Sequence, residues 1–235
     1  MIAVVPGCGV FAKKQECKLL VDDVTRTTNA IKTLEKSEDP RKVANMARTA
    51  GATATQLGSD LSGRSFSVSE VKQFAGDYSG FAREVGVKMN DLAKVMDQFA
   101  DLKDQVDEQK PASVTKKFTA ATQKFGDACK RPMNGCLGVA RVLQRLPKKT
   151  DDMDAYARGM ATAAADMKKV PQDAALKPTV DELVRQTEAL GAVFQGIGDG
   201  TRKLKTTQAE LDAIVAREPP MLASINAFCV PPAKK

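Results

Sequence analysis

The sequence contains no histidine and no tryptophan, and aromatic residues make up only 5% of it. Histidine is the commonest general base and the commonest imidazole metal ligand. Its absence excludes Ser-His and Cys-His nucleophile pairs, histidine-bound metals, and the Glu-x-x-His motif of carboxylate bundles. No apolar run approaches the ~20 residues of a bilayer-crossing helix, so no segment reads as one. No Cys-x-x-Cys occurs, which removes zinc-ribbon, thioredoxin-like and c-type haem patterns. Strand-like alternation is missing throughout. Two patterns only imitate chemistry. Gly196-Ile197-Gly198-Asp199-Gly200 lacks the GxGxxG spacing, follows no strand and lies inside a helical pattern. Ser69–Lys72 and Ser113–Lys116 have the Ser-x-x-Lys spacing, but no Lys-Thr-Gly follows, and both serines fall in helix first turns, where serine caps. The sequence therefore implies no cofactor, no metal and no catalytic residue.

What is present is helical periodicity with an internal repeat. The chain has 235 residues, 43% apolar and 28% charged, enough for one or two domains with a sizeable core. Apolar or small residues recur in steps of three and four at Val68, Val71, Ala75, Tyr78, Ala82, Val85, Met89, Leu92, Met96, Phe99 and Val106. An offset of 112 residues carries this stripe onto Val180, Leu183, Thr187, Leu190, Phe194, Ile197, Thr201, Leu204, Gln208, Leu211 and, opposite Lys103, Val215. Each stripe predicts a helix of about 40 residues with a coiled-coil-like seam. Ser67-Val68-Ser69-Glu70 and Thr179-Val180-Asp181-Glu182 have the form of capping boxes, and Pro111 and Pro219-Pro220 are expected to end the helices.

Shorter helices precede each long one. Cys17, Leu20, Val24, Thr27, Ile31 and Leu34 form one face, matched by Cys129, Pro132, Cys136, Val139, Leu143 and Leu146. Asp39-Pro40 opens a helix expected to turn Val43, Met46, Ala50, Ala54 and Leu57 inward. Its counterpart at offset 110 presents Met153, Tyr156, Met160, Ala164 and Met167. The expectation is an all-α, elongated bundle of two tandem three-helix repeats, residues 17–110 and 111–235, with an extra basic helix around 112–128. Gly86 and Gly198 correspond across the repeat near the middle of the long helices, marking close helix contact or a hinge.

Charge is placed unevenly. Residues 1–110 carry 16 basic and 16 acidic side chains, so the net charge of +7 belongs to the remainder. It is densest in 111–150, where Lys116, Lys117, Lys124, Lys130, Arg131, Arg141, Arg145, Lys148 and Lys149 face a single acid, Asp127. These nine are candidate anion-binding residues for lipid head groups, acidic glycans or phosphate. The bland alternative, and the favoured one, is pairing across a hairpin at Pro111 with the acidic run Asp97, Asp101, Asp104, Asp107 and Glu108. Phe118 and Phe125 read as core, which makes nucleic acid an improbable partner.

The chain opens Met1-Ile2-Ala3-Val4-Val5-Pro6-Gly7-Cys8-Gly9. Val5-Pro6-Gly7-Cys8 resembles the lipobox of bacterial lipoproteins: an aliphatic residue at −3, a tolerant −2, a small −1, then the cysteine that takes the lipid. Pro6 at −2 and the short apolar run without a basic leader depart from the pattern, so residues 1–16 are expected to be a truncated signal and anchor segment. The resemblance implies lipidation at Cys8. With Gly9 after it, it also implies sorting to the outer membrane, facing the periplasm. Setting Cys8 aside leaves four cysteines, enough for two disulfides in an oxidising compartment or four reduced thiols elsewhere. Of the three connectivities, Cys129–Cys136 with Cys17–Cys229 is favoured. In an unbroken helix Cys129 and Cys136 would lie about 10.5 Å apart, beyond the ~7 Å limit, but Pro132 and Gly135 let the chain turn back. The body of the chain matches no nameable family. The expected function is a non-enzymatic binding or scaffold module of the cell envelope. Its expected partners are an envelope protein or anionic surface, with the lipid as its membrane contact. A cytoplasmic coiled-coil-like adaptor and a membrane-surface amphipathic bundle are the alternatives, with a Ser/Lys or carboxylate enzyme behind them.

Overall fold

The computed structural model describes residues 8–32, 37–148 and 152–230, with residues 8–10 described by their backbone alone. Among the described residues there is no strand. The elements are α1 (Cys8–Lys32), α2 (Pro40–Gly63), α3 (Ser69–Val106), α4 (Val114–Ala128), α5 (Cys136–Gln144), α6 (Met153–Lys169), α7 (Lys177–Val215) and α8 (Glu218–Cys229). The protein is all-α, and α3 and α7, at 38 and 39 residues, are its two long helices.

Local chemistry sets most helix starts. Asp39 caps α2 by accepting from the Arg41 N–H at 2.9 Å, with Pro40 in the first turn. Ser113 caps α4 through the Lys116 N–H at 3.1 Å, and Asp152 caps α6 through the Ala155 N–H at 2.9 Å. The start of α3 is different. The two residues that lead into it are held by a side chain from another helix: Glu16 of α1 accepts from Ser67 N at 2.8 Å, Ser67 Oγ at 2.5 Å and Val68 N at 3.0 Å. Thr179 lies within the first turn of α7 and not before it. Pro219 and Pro220 do not merely stop α7. They sit in the first turn of α8, where their missing N–H groups would be unbonded in any residue.

The chain divides into two compact units, Met1–Asp97 with Leu204–Lys235, and Gln98–Lys203. Helices α3 and α7 contribute to both, so the units draw on both halves of the sequence. In the first, α1, α2, α8 and parts of α3 and α7 enclose Leu20, Val24, Tyr78, Val85, Met89 and Ile225. The segment 8–16, expected to be an anchor, is helical, and the Lys13 ammonium lies 3.8 Å over the Phe228 ring. In the second unit α4 to α7 bury Phe125, Val139, Met167, Leu176, Val180 and Leu183.

The inward face of α2 differs from the expected one. Ala44, Ala47, Ala50, Gly51, Ala54 and Gly58 are buried, whereas Val43 and Met46 are half-buried. The reason is the closeness of α3. A Cβ built on Gly51 would lie 2.9 Å from the Gly86 carbonyl oxygen, and one on Gly58 would lie 2.9 Å from that of Ser79. The Ser79 hydroxyl donates to the Gly58 carbonyl at 2.7 Å. Only small residues fit such an approach, so the larger apolar residues are displaced to its flanks.

Candidate functional site

Four cysteines are joined in two disulfides. Cys17 of α1 is bonded to Cys229 of α8 in the first unit, with Cα atoms 5.3 Å apart and 212 residues between them. Cys129 and Cys136 are bonded across the turn from α4 to α5 in the second, with Cα atoms 5.7 Å apart. That turn contains Gly135 at φ +99°, a left-handed conformation in which a Cβ would also press 2.8 Å from the Pro171 carbonyl oxygen. Cys8 begins α1. Its side chain, and Val5-Pro6-Gly7 before it, lie outside the described residues.

The basic stretch occupies the outer surface of α4, the disulfide turn and α5. Lys116, Lys117, Lys124, Lys130, Arg131, Arg141, Arg145 and Lys148 are all exposed, and Lys149 lies outside the described residues. On α4 the lysines are exposed, whereas Ala121 and Phe125 are buried. On α5 Arg141 and Arg145 follow Leu137, which is 65% exposed, at four-residue intervals along the solvent face. Among the described residues, Lys130 has an ion pair with Asp127 at 2.7 Å, and that hydrogen bond raises its pKa. The expected hairpin pairing with the acidic run is not what forms. Asp97 pairs with Arg48 and Asp104 with Lys110, and among the described residues no ion pair joins Lys116, Lys117 or Lys124 to the run. The turn at Pro111 brings α4 back so that the Thr115 hydroxyl reaches the Val106 carbonyl at 3.1 Å, but the lysines point to solvent.

Both candidate hinge glycines lie within uninterrupted helix. Gly86 has a packing role, since a Cβ there would sit 2.1 Å from Thr55 Oγ1 and 2.8 Å from the Gly51 carbonyl oxygen. Gly198 leaves room for the Asp154 carboxylate, 2.7 Å from where its Cβ would be. Asp154 in turn holds Arg202.

The first unit also buries polar groups that hydrophobic patterning does not reveal. Glu218, 7% exposed, accepts from the Tyr78 hydroxyl at 2.7 Å and the Thr28 hydroxyl at 2.6 Å. Burial raises the Tyr78 phenol well above its ordinary pKa, and Glu218 adds to the rise against an opposing hydrogen bond from Thr28. Asp23, 3% exposed, is held by the Arg64 guanidinium at 2.8 Å. Glu218, Tyr78 and Thr28 bond one another, while Asp23 and Arg64 line an open cavity of about 520 Å³ on the first unit.

No family model, curated protein or solved structure matches this chain. Among the described residues no helix is long and apolar enough to cross a membrane, and no group of three His, Cys, Asp or Glu residues is arranged to hold a metal ion. The arrangement offers two stapled helical units, a solvated basic face, and a cleft in the second unit. The cleft is lined by Phe99, Tyr156, Phe194 and Ile197, residues that patterning assigns to the core and the structure leaves half-buried.

Proposed function

We propose that the chain is a non-enzymatic, lipid-anchored module of a bacterial cell envelope. Its anchor is Cys8, and its basic α4–α5 face is directed at an anionic envelope surface. The observation that carries this reading is the pairing of the cysteines. Four are close enough to be bonded and are bonded, which leaves Cys8, in its Val5-Pro6-Gly7-Cys8 setting, as the cysteine for lipid. Two disulfides also favour an oxidising compartment such as the periplasm over the cytoplasm. In the full-length gene product, Cys8→Ala is expected to abolish fatty-acid labelling and release the protein from the membrane fraction. A parent protein that never labels, or four free thiols in native protein, sinks the reading.

We further infer that the body consists of two tandem three-helix repeats. Asp39 and Asp152 both cap the helix before a long one, and Gly86 and Gly198, 112 residues apart, both sit at close helix approaches. The contacts are not in the same register. At offset 110 Gly51 corresponds to Ala161, yet Gly86 meets Gly51 while Gly198 meets Asp154. A second reading, a bundle that rests on a membrane surface without a lipid, is favoured by exposed Leu137 beside Arg141 and Arg145. Vesicle binding by the Cys8→Ala protein distinguishes it.

A further inference from the structure

The second unit contains a cleft of about 470 Å³, within the range of small-molecule sites. Three helices supply its apolar walls: Phe99 and Val106 from α3, Met153 and Tyr156 from α6, Phe194 and Ile197 from α7. The same stripes of α3 and α7 are buried one or two turns away, at Leu92 and Leu190. Apolar periodicity therefore continues into the cleft, where protein cover stops. The walls are fixed by contacts of their own. Gly196 lets α3 approach α7, because a Cβ there would lie 3.0 Å from Leu102. The Asp154–Arg202 pair ties the start of α6 to α7, and the Thr115–Val106 hydrogen bond ties α4 to the end of α3. Such a pocket is formed before any ligand arrives, which removes an ordering cost.

Its polar groups are few and specific. Lys103 and Glu108 line the cleft, both exposed, and neither is engaged in an ion pair among the described residues. Tyr156, half-buried with its ring 4.5 Å from that of Phe194, makes no hydrogen bond through its hydroxyl among the described residues. Burial raises its pKa, so it stays a neutral donor. One cation and one anion five residues apart match a head group that carries both signs. A free carboxylate head would meet Glu108 as well as Lys103. A cationic head would meet Lys103.

We propose that this cleft binds the acyl chain of a zwitterionic single-chain amphiphile, of lysophospholipid chemistry, with the phosphate toward Lys103 and the ammonium toward Glu108. The chain supplies the affinity. The exposed rim charges supply a selectivity of severalfold at most, because such pairs are weak in water. The proposal does not depend on lipidation at Cys8.

The test uses the full oxidised chain and myristoyl lysophosphatidylcholine below its micellar concentration, followed by calorimetry and by the NMR signal of the Met153 methyl group. Saturable one-to-one binding that shifts this methyl is expected. Ile197→Glu is expected to weaken binding about tenfold or more, the equivalent of one buried charge against an apolar chain. If that variant loses helicity, Phe194→Leu, which keeps the core apolar, is read instead through its altered Met153 shift on titration. Lys103→Gln is expected to weaken lysolipid about threefold, and Glu108→Gln to narrow the preference for lysolipid over myristate. Non-saturable uptake, an unmoved Met153 methyl, or undiminished binding by a folded Ile197→Glu protein overturns the site. Myristate binding as tightly as lysolipid overturns the head-group assignment.

Discussion

The same substitution placed at two positions of one helix is expected to have opposite signs. In α3, Gly76 and Gly80 are exposed, and a Cβ at either would meet nothing within 4 Å. Replacing either with alanine removes backbone freedom from the unfolded chain and adds roughly 0.5–1 kcal/mol. Gly86, two turns further on, gains the same propensity term but meets α2. Its Cβ would lie 2.1 Å from Thr55 Oγ1 and 2.8 Å from the Gly51 carbonyl oxygen. The exposed Thr55 hydroxyl can rotate away, whereas the Gly51 carbonyl moves only if the helices separate, and that loosens the packing of Ala47, Ala50 and Ala54. Overpacking of this kind costs about 1–3 kcal/mol, which exceeds the propensity gain. The net expectation is a loss of about 1–2 kcal/mol for Gly86→Ala. In a chain of this size that lowers Tm by roughly 2–8 °C, against a rise of about 1–4 °C for Gly80→Ala. Thermal melts of both variants, with Thr55→Ala added to each, check the reasoning. If the backbone contact decides, Thr55→Ala does not rescue Gly86→Ala. A Gly86→Ala protein that melts as high as Gly80→Ala refutes the close approach of α2 and α3, and a full rescue by Thr55→Ala assigns the cost to the hydroxyl.

Removing Cys17–Cys229 by paired serine substitution is expected to cost roughly 5 kcal/mol on the chain-entropy account of a 212-residue closure, against about 2 for the seven-residue closure of Cys129–Cys136; equal losses in denaturant melts count against that account. The Glu16 carboxyl is held below its ordinary pKa, first by the Ser67 hydroxyl and then by the Val68 and Ser67 N–H groups. A carboxyl depressed on folding stabilises above its unfolded pKa and loses that contribution as pH falls through the folded one. The Tm gap between wild type and Glu16→Gln is therefore expected to be open at neutral pH and to close on acidification below about pH 4, and a gap that is constant with pH contradicts the capping role. Reversing Lys116, Lys117 and Lys124 to Glu is expected to change stability by no more than about 0.5 kcal/mol, because all three are exposed and among the described residues none is in an ion pair. The same change is expected to abolish salt-sensitive sedimentation with anionic vesicles, and a large fall in Tm would restore the hairpin-pairing view.

Most of the helices, though not α8, were legible because their signals are local. Asp39-Pro40 states a cap and a first turn in two adjacent residues, and the stripe from Val71 to Leu92 repeats one face for six turns. The disulfide pairing was legible because Pro132 and Gly135 supply the turn that Cys129 and Cys136 require. What escaped is whatever depends on a second element. Glu16 caps a helix that starts more than fifty residues later, and a local capping box at Ser67 looks equally good from sequence. Ala50, Ala54 and Leu57 of α2 face inward as expected, but in the first turns of the helix Val43 and Met46 were placed inward where Ala44 and Ala47 are buried, because hydropathy weights valine and methionine above alanine. The distance to α3, which sequence does not state, reverses that order. Pro219-Pro220 carries the same ambiguity, since a residue pair that cannot continue one helix is well suited to begin the next.

The acidic run shows why charge complementarity between neighbouring segments is weak grounds for contact. Asp97 and Asp104 find cations at Arg48 and Lys110, one on α2 and one just beyond the end of their own helix, and among the described residues no ion pair joins the run to the lysines of α4. Solvent-exposed pairs are worth so little that geometry, and not charge, chooses among candidates. The same logic separates core from site in the second unit. Phe99, Phe194 and Ile197 continue stripes whose other members are buried, and nothing in their spacing distinguishes them. Leu190 is buried, whereas Phe194 and Ile197 stay half-buried and line a cleft. An apolar stripe in a helical protein therefore specifies where burial is favourable, and the packing of the neighbouring elements decides whether protein or a ligand provides it.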